Sequence, residues 1–418
     1  MKHLVARSIF QTLVAISAVS GSAAYASGFS QPTNEKMDIE THSFLIDKLD
    51  AVIKATPKGD ATRVPSLLRL ADLYSERARL SLMKEIEGGC TVCKAGETDR
   101  AKAIAAYEVA LDESKGQVRQ ETESRILFQL AYLYEIHGKD GKAEELYKRV
   151  LKIGSARFSQ QILGQSETGL GEIAFKNKKF KEARVQFERA LKRKETPRQG
   201  WVNYRIAWCD LNLGQAEAGK RRLVKVLKTP ALLTTDSTNG AQIDSSFQED
   251  VARDLTVFYV RTGFNDRDVE TLIQLTPENS RKSILVDLAE EAERLGQKRQ
   301  AISVWSMLIS SKIAVLENRE KIEASARIAY MSYGLGEKQQ AVSEFERGLS
   351  LWKKAGCEPD AECAILQKRF RKLVLDWNKS EETKPTASLL SAYISYANAF
   401  KSDVEMAYWG GNVARELK

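Results

Sequence analysis

Apolar and small residues recur along this chain at the spacing of two helices joined by a tight turn. The pattern is clearest at Leu127, Leu130, Ala131, Tyr134, Gly138, Ala143 and Tyr147, and again at Leu285, Leu288, Ala289, Ala292, Gly296, Ala301, Trp305 and Leu308. Residues three and four apart share one face of a helix, so each half of the pattern predicts an amphipathic helix. Small side chains at Ala131 and Ala143 let two antiparallel helices approach, Leu127, Leu130, Tyr134 and Tyr147 fill the space around that contact, and Gly138 permits the turn. Further copies read Ser325, Ile328, Ala329, Ser332, Gly336, Ala341, Phe345, Gly348 and Glu167, Leu170, Gly171, Ala174, Ala183, Phe187, Ala190. Such a pair cannot bury its apolar face alone, so neighbouring copies must stack. The pattern therefore predicts an all-α fold, an α-solenoid of stacked antiparallel helix pairs.

Weaker copies set the domain boundaries. Asn203 to Val226 carries a polar residue and a glycine at packing positions, and Ala252 to Leu275 has a short second helix that stops at Pro277. The first copy begins at Leu67, Leu70, Ala71 and Tyr74 but resumes only at Ala103, Tyr107 and Ala110, which requires longer helices and an insertion near 86–98. A leading helix is expected in the segment 27–63, repeats over 64–228, a loop or hinge at 229–248 rich in Thr, Ser, Asn and Gly, and further repeats with a terminal capping helix over 249–418.

The spacing of Leu127, Leu130, Ala131, Gly138 and Ala143, with its later copies, resembles the tetratricopeptide repeat (TPR). The second-helix anchor recurs at 103, 143, 183, 219, 268, 301 and 341, mostly in steps of 40 or 36, whereas tetratricopeptide repeats recur at about 34 residues. The resemblance implies a TPR-like superhelix in which the first helix of each pair lines a concave groove that holds a protein partner. Matching positions place Phe128, Tyr132, Trp201, Tyr204, Arg205 and Trp208 toward that groove, with Trp201 and Trp208 alternatively packed between adjacent repeats. The Lys, Asn and Arg clamp of chaperone-binding members is absent. The stretch Leu67 to Arg79 is also similar to exported repeat proteins of bacterial gliding and envelope machineries.

The amino terminus changes the setting. Lys2 and Arg7 precede an apolar run from Ile9 to Val19 that ends in Ser20, Gly21, Ser22 and Ala24-Tyr25-Ala26, the pattern of a secretory signal peptide over 1–26 with cleavage near Ala26/Ser27. The run is too short to cross a bilayer of about 30 Å, and no later stretch approaches that length. The expected product is periplasmic or otherwise exported. In an oxidising compartment the pairs Cys90/Cys93 and Cys357/Cys363 become disulfide candidates, while Cys209 reads as a small core residue. Cys90-Thr91-Val92-Cys93 also matches a redox dithiol or half a zinc site. A thioredoxin-type site would need a preceding strand, and no strand pattern flanks it.

Charge locates the remaining candidate. Removal of 1–26 takes away two basic residues and no acidic one, so the net charge falls from +8 to +6. Between Lys176 and Lys228 there are 16 basic and 5 acidic residues, so the basicity is local. It comprises Lys176, Lys178, Lys179, Lys181, Lys192, Arg193, Lys194, Lys220, Arg221, Arg222, Lys225 and Lys228, a field that would attract an acidic protein, an anionic polymer or lipid headgroups, or else a solvated face that maintains solubility. Export argues against nucleic acid. Catalytic constellations are scarce: His42 and His137 stand apart, Gly169-Leu170-Gly171 falls inside a repeat helix, and Ser350-Leu351-Trp352-Lys353 matches a nucleophile motif by spacing alone. The sequence thus predicts a non-enzymatic scaffold without a cofactor or metal, whose partner is an envelope protein. A glycan-binding module using the groove aromatics and a thiol-disulfide protein using Cys90 and Cys93 are the alternatives.

Overall fold

The computed structural model describes residues 38–90, 92–114, 120–235, 242–311, 315–355, 361–381 and 383–418. The signal-like segment and Cys357 lie outside the described residues. The chain divides into two compact units, one running to Leu213 and taking up Thr235 again, the other formed by Gly214–Thr234 and Gln242–Lys418.

The first unit contains α1 (Ile39–Ala55), α2 (Arg63–Glu87), α3 (Glu97–Glu113), α4 (Gln120–Ile136), α5 (Asp140–Ile153), α6 (Gln160–Lys176), α7 (Phe180–Lys192) and α8 (Gln199–Asn212). Helices α2 and α3, α4 and α5, and α6 and α7 pair with each other, and each pair packs on the next. Asp38 starts α1 by accepting the Thr41 backbone N–H at 2.7 Å, and Ser159 starts α6 by accepting that of Ile162 at 3.2 Å. The core follows the repeat positions: Ala71, Ala131, Ala143, Ala183, Tyr147 and Phe187 are all fully buried. The long α2 carries the insertion at its end.

The second unit contains α9 (Ala216–Lys228), α10 (Ser245–Thr262), α11 (Asp266–Leu275), α12 (Arg281–Arg294), α13 (Lys298–Ser310), α14 (Asn318–Tyr333), α15 (Lys338–Ala355), α16 (Ala361–Ser380), α17 (Ala387–Ala399) and α18 (Val404–Glu416). Helices α12 with α13 and α14 with α15 repeat the antiparallel pairing, and α18 closes the unit by packing on α17. Gly410 makes that last contact possible, since a Cβ there would stand 3.0 Å from Cβ of Tyr393. Each unit is thus an all-α solenoid of stacked helix pairs.

The boundary at Leu213 lies upstream of the stretch 229–248 in which the sequence suggested a hinge. Residues 236–241 of that stretch lie outside the described ones. Its flanks form a 3-10 turn at Pro230–Leu232 and a two-stranded pairing of Thr234–Thr235 with Gln242–Ile243, which the helical pattern did not foresee.

The turn between paired helices demands a left-handed residue. Gly138, Gly214, Gly296 and Gly336, each seven residues after the small contact residue of its first helix, have φ between +75° and +78°. In the third copy the same position is Lys178, which adopts φ +60° without being glycine. The repeat geometry imposes this conformation on a residue that disfavours it.

Candidate functional site

The first helices of successive pairs present charged side chains to each other, and these are consumed in a ladder of ion pairs. In the first unit Arg125 of α4 reaches back to Asp72 of α2, which also accepts the Tyr107 hydroxyl. One step further, Arg205 of α8 donates Nε to Glu172 of α6 at 2.8 Å, and Nη2 bonds the other carboxylate oxygen. The Arg205 guanidinium lies 4.6 Å from the Phe175 ring centre and 4.8 Å from that of Trp201, and the Trp201 Nε1–H donates to the same Glu172 at 3.2 Å. In the second unit Arg327 of α14 binds Glu293 of α12 at 2.9 Å and Glu290 at 3.1 Å while lying over Trp305. The pairing of an arginine with a carboxylate about one repeat earlier recurs, so its first role is to register one helix pair on the next.

All six groove candidates are buried. Phe128 packs 6.3 Å from Tyr147, Trp201 packs 5.2 Å from Tyr204, and Tyr132, Arg205 and Trp208 are enclosed among the helices. The structure brings Trp201, Tyr204 and Arg205 of α8 together near Glu172 of α6, two repeats beyond Phe128 and Tyr132 of α4. Between the two groups stands Glu135 of α4, whose carboxylate accepts the Tyr147 hydroxyl at 2.7 Å. Burial pushes the Glu135 carboxyl up to about 8; the Tyr147 hydrogen bond opposes this, and the nearby Glu172 charge adds to it. Nothing in the sequence singled out Glu135, because its environment is assembled from three helices.

The cationic residues divide between the units, Lys176 to Lys194 in the first and Lys220 to Lys228 in the second. Several are already neutralised. Lys176 pairs with Asp140 at 2.9 Å, Lys179 with Glu182 at 3.7 Å, Lys220 with Glu217 at 2.9 Å and Arg221 with the same Glu217 at 3.8 Å. Arg193 makes two 2.8 Å bonds to the buried Glu167 and a third, of 2.9 Å, to Gln160. Lys178 and Arg222 also have partners. Lys225 and Lys228 are exposed in the second unit.

In the first unit Lys181, Lys192 and Lys194 are exposed, and their ammonium groups meet no carboxylate among the described residues. Arg189, which the sequence did not single out, joins them. It lies eight residues after Lys181 on α7, with the exposed Val185 midway, so Lys181, Val185, Arg189 and Lys192 share one helix face. Arg189, Lys192 and Arg193 line an open cleft of about 510 Å³ with Leu151, Gln160 and Glu167. The cleft offers two unneutralised cations beside an apolar edge.

Cys90 and Cys93 are joined in a disulfide with a Cα–Cα distance of 5.6 Å. Cys209 is a free thiol, fully buried, and burial pushes its pKa up to about 12, which makes it a core residue and a poor nucleophile. Cys363 is buried on α16. No helix among the described residues is long and apolar enough to cross a membrane.

Small residues at the helix contact, a left-handed turn residue seven positions later, and stacking of pair upon pair are now all in place. The units are TPR-like helix pairs. Neither a protein-family model nor a curated protein sequence matches the chain. Among solved structures it is similar to the C-terminal part of a TPR repeat-containing protein from Cytophaga hutchinsonii, with 15% identity, coverage of 79% of this chain and 99% of that one, and a TM-score of 0.36. A tetratricopeptide repeat protein from Parabacteroides merdae gives 12% identity, 71% and 98% coverage, and a TM-score of 0.33. The apo form of the quorum sensor NprR from B. thuringiensis gives 15%, 81% and 97%, and 0.32.

Proposed function

We propose that the chain is a non-enzymatic scaffold of the cell envelope, exported by the segment 1–26, that docks an acidic protein partner on the first unit. The observation that carries this reading is the row of exposed cations without carboxylate partners on and just beyond α7, Lys181, Arg189, Lys192 and Lys194, in a chain whose inner charges are spent on internal pairs. An array of unpaired cations raises the local concentration of an acidic partner and guides its approach. The groove aromatics on which the glycan reading rests, Phe128, Tyr132, Trp201, Tyr204 and Trp208, are buried among the repeats, which does not favour that reading. Export to the periplasm is supported by the leader pattern and is compatible with the Cys90–Cys93 disulfide.

The reading is tested by crosslinking in cells followed by recovery of the chain from an envelope fraction, comparing wild type with Lys181→Glu/Lys192→Glu/Lys194→Glu. An acidic envelope protein recovered with the wild type and lost with the variant supports it. Equal recovery from both, or recovery of cell-wall fragments alone, rejects it.

A further inference from the structure

The insertion that lengthens the first helix pair places three metal-ligand groups together. Glu85 stands near the end of α2, Cys90 and Cys93 lie on the loop that follows, and the carboxylate oxygen and both sulfurs fall within 4.8 Å of one another. All three are half-buried. The far end of the loop is held to α2 by contacts that do not involve the sulfurs. One Glu85 carboxylate oxygen accepts the backbone N–H groups of Lys94 at 2.8 Å and Ala95 at 2.6 Å. At Gly96, with φ +82°, the backbone runs so close to α2 that a Cβ would stand 2.8 Å from Cα of Ala78.

A cross-link between residues three apart closes so short a loop that it constrains the unfolded chain very little, and this loop is already anchored. The disulfide is therefore a poor staple, and its position beside an oriented carboxylate calls for another account. Two cysteines separated by two residues form the usual bite for a tetrahedral, borderline-soft cation, and a carboxylate supplies a third ligand. Tetrahedral zinc needs sulfur and oxygen ligands about 3.5–3.8 Å apart, a spacing that the opened thiols and Glu85 can reach. The Lys94 and Ala95 amides fix the carboxylate in the way that outer hydrogen bonds orient metal ligands.

We propose that Glu85, Cys90 and Cys93 form a redox-gated site for a zinc-class divalent cation. A thiol reductant delivers two electrons and two protons to the disulfide, is itself oxidised to a disulfide, and leaves two Cys thiols. The cation then displaces both thiol protons and forms two metal–sulfur bonds, with Glu85 as third ligand and water completing the shell. Oxidation by a disulfide-forming oxidant expels the metal and restores the Cys90–Cys93 bond.

The test uses the untagged chain, fully reduced and then freed of reductant, titrated with Co2+ and afterwards with Zn2+. The expected result is one equivalent of Co2+ with a thiolate-to-cobalt charge-transfer band, displaced by Zn2+, and no band in the disulfide form. Cys90→Ser abolishes the band. Glu85→Gln, whose amide oxygen can still accept the Lys94 and Ala95 N–H groups, weakens Co2+ binding at least about tenfold, the scale on which even outer-shell partners act, while circular dichroism and the thermal midpoint stay at their wild-type values. Failure of the reduced chain to bind one equivalent, binding without the charge-transfer band, or unchanged affinity in Glu85→Gln overturns the proposal. No partner protein enters the assay, so its outcome is independent of the scaffold reading.

Discussion

Replacing Gly171 by alanine tests whether close approach of paired helices sets the first unit's stability. Alanine in a helix interior is favoured over glycine by about 1 kcal/mol, so propensity alone predicts stabilisation. The packing predicts the reverse, because a Cβ at Gly171 would stand 2.6 Å from Cε1 and 2.7 Å from Cδ1 of the fully buried Phe187. Neither α6 nor the ring can yield without disturbing neighbours at core density, and overpacking of this kind costs about 1–3 kcal/mol. The net expectation is a loss of up to ~2 kcal/mol. Gly411 of α18 is the control, since nothing lies within 4 Å of its would-be Cβ. Gly411→Ala should therefore gain up to ~1 kcal/mol. Urea unfolding followed by far-ultraviolet circular dichroism, with fluorescence from the six tryptophans as a second probe, measures both midpoints. Stabilisation of similar size in the two variants would refute the packing argument.

Two further outcomes follow from the buried charges. Glu135 ionises near pH 4.3 when unfolded but only at about 8 when folded, so its contribution to stability is full below pH 4 and is lost as pH rises to 8. Because the side chain keeps partial contact with water, the loss is on the order of 1–2 kcal/mol; Glu135→Gln should flatten this part of the stability curve, and an unchanged slope in that variant would contradict the assignment. Arg205→Met keeps an apolar stem between Phe175 and Trp201 but strips Glu172 of its main partner, at a cost of roughly 3–5 kcal/mol. The double variant Arg205→Met/Glu172→Met should recover much of that loss in denaturant unfolding, and strictly additive effects would sink the coupling.

The helical pairing was legible because it depends on residues close in sequence: Ala131, Gly138 and Ala143 lie within one turn-linked pair, and their periodicity states which face is buried. Lys178 shows how far that logic reaches, since the repeat forces a lysine into the conformation glycine holds elsewhere. The groove residues were less legible. Trp201 and Arg205 occupy first-helix positions that are buried against the preceding repeat, and Glu172, which holds them, lies 29 and 33 residues earlier. The spacing recurs at 34 residues between Glu293 and Arg327, so an arginine one repeat after a carboxylate is a signal that sequence alone offers. The basic run was visible as a count, but which cations remain unneutralised was not, because Asp140 and Glu167 reach Lys176 and Arg193 from other parts of the fold.

The measurement that bears most directly on the scaffold reading is the affinity of the chain for the partner recovered from the envelope, determined across a range of salt concentrations for wild type and for the Lys181, Lys192 and Lys194 charge reversal. Affinity and association rate should fall steeply with salt in the wild type, and the variant should bind weakly at every ionic strength. Binding that ignores both salt and charge reversal would contradict the account.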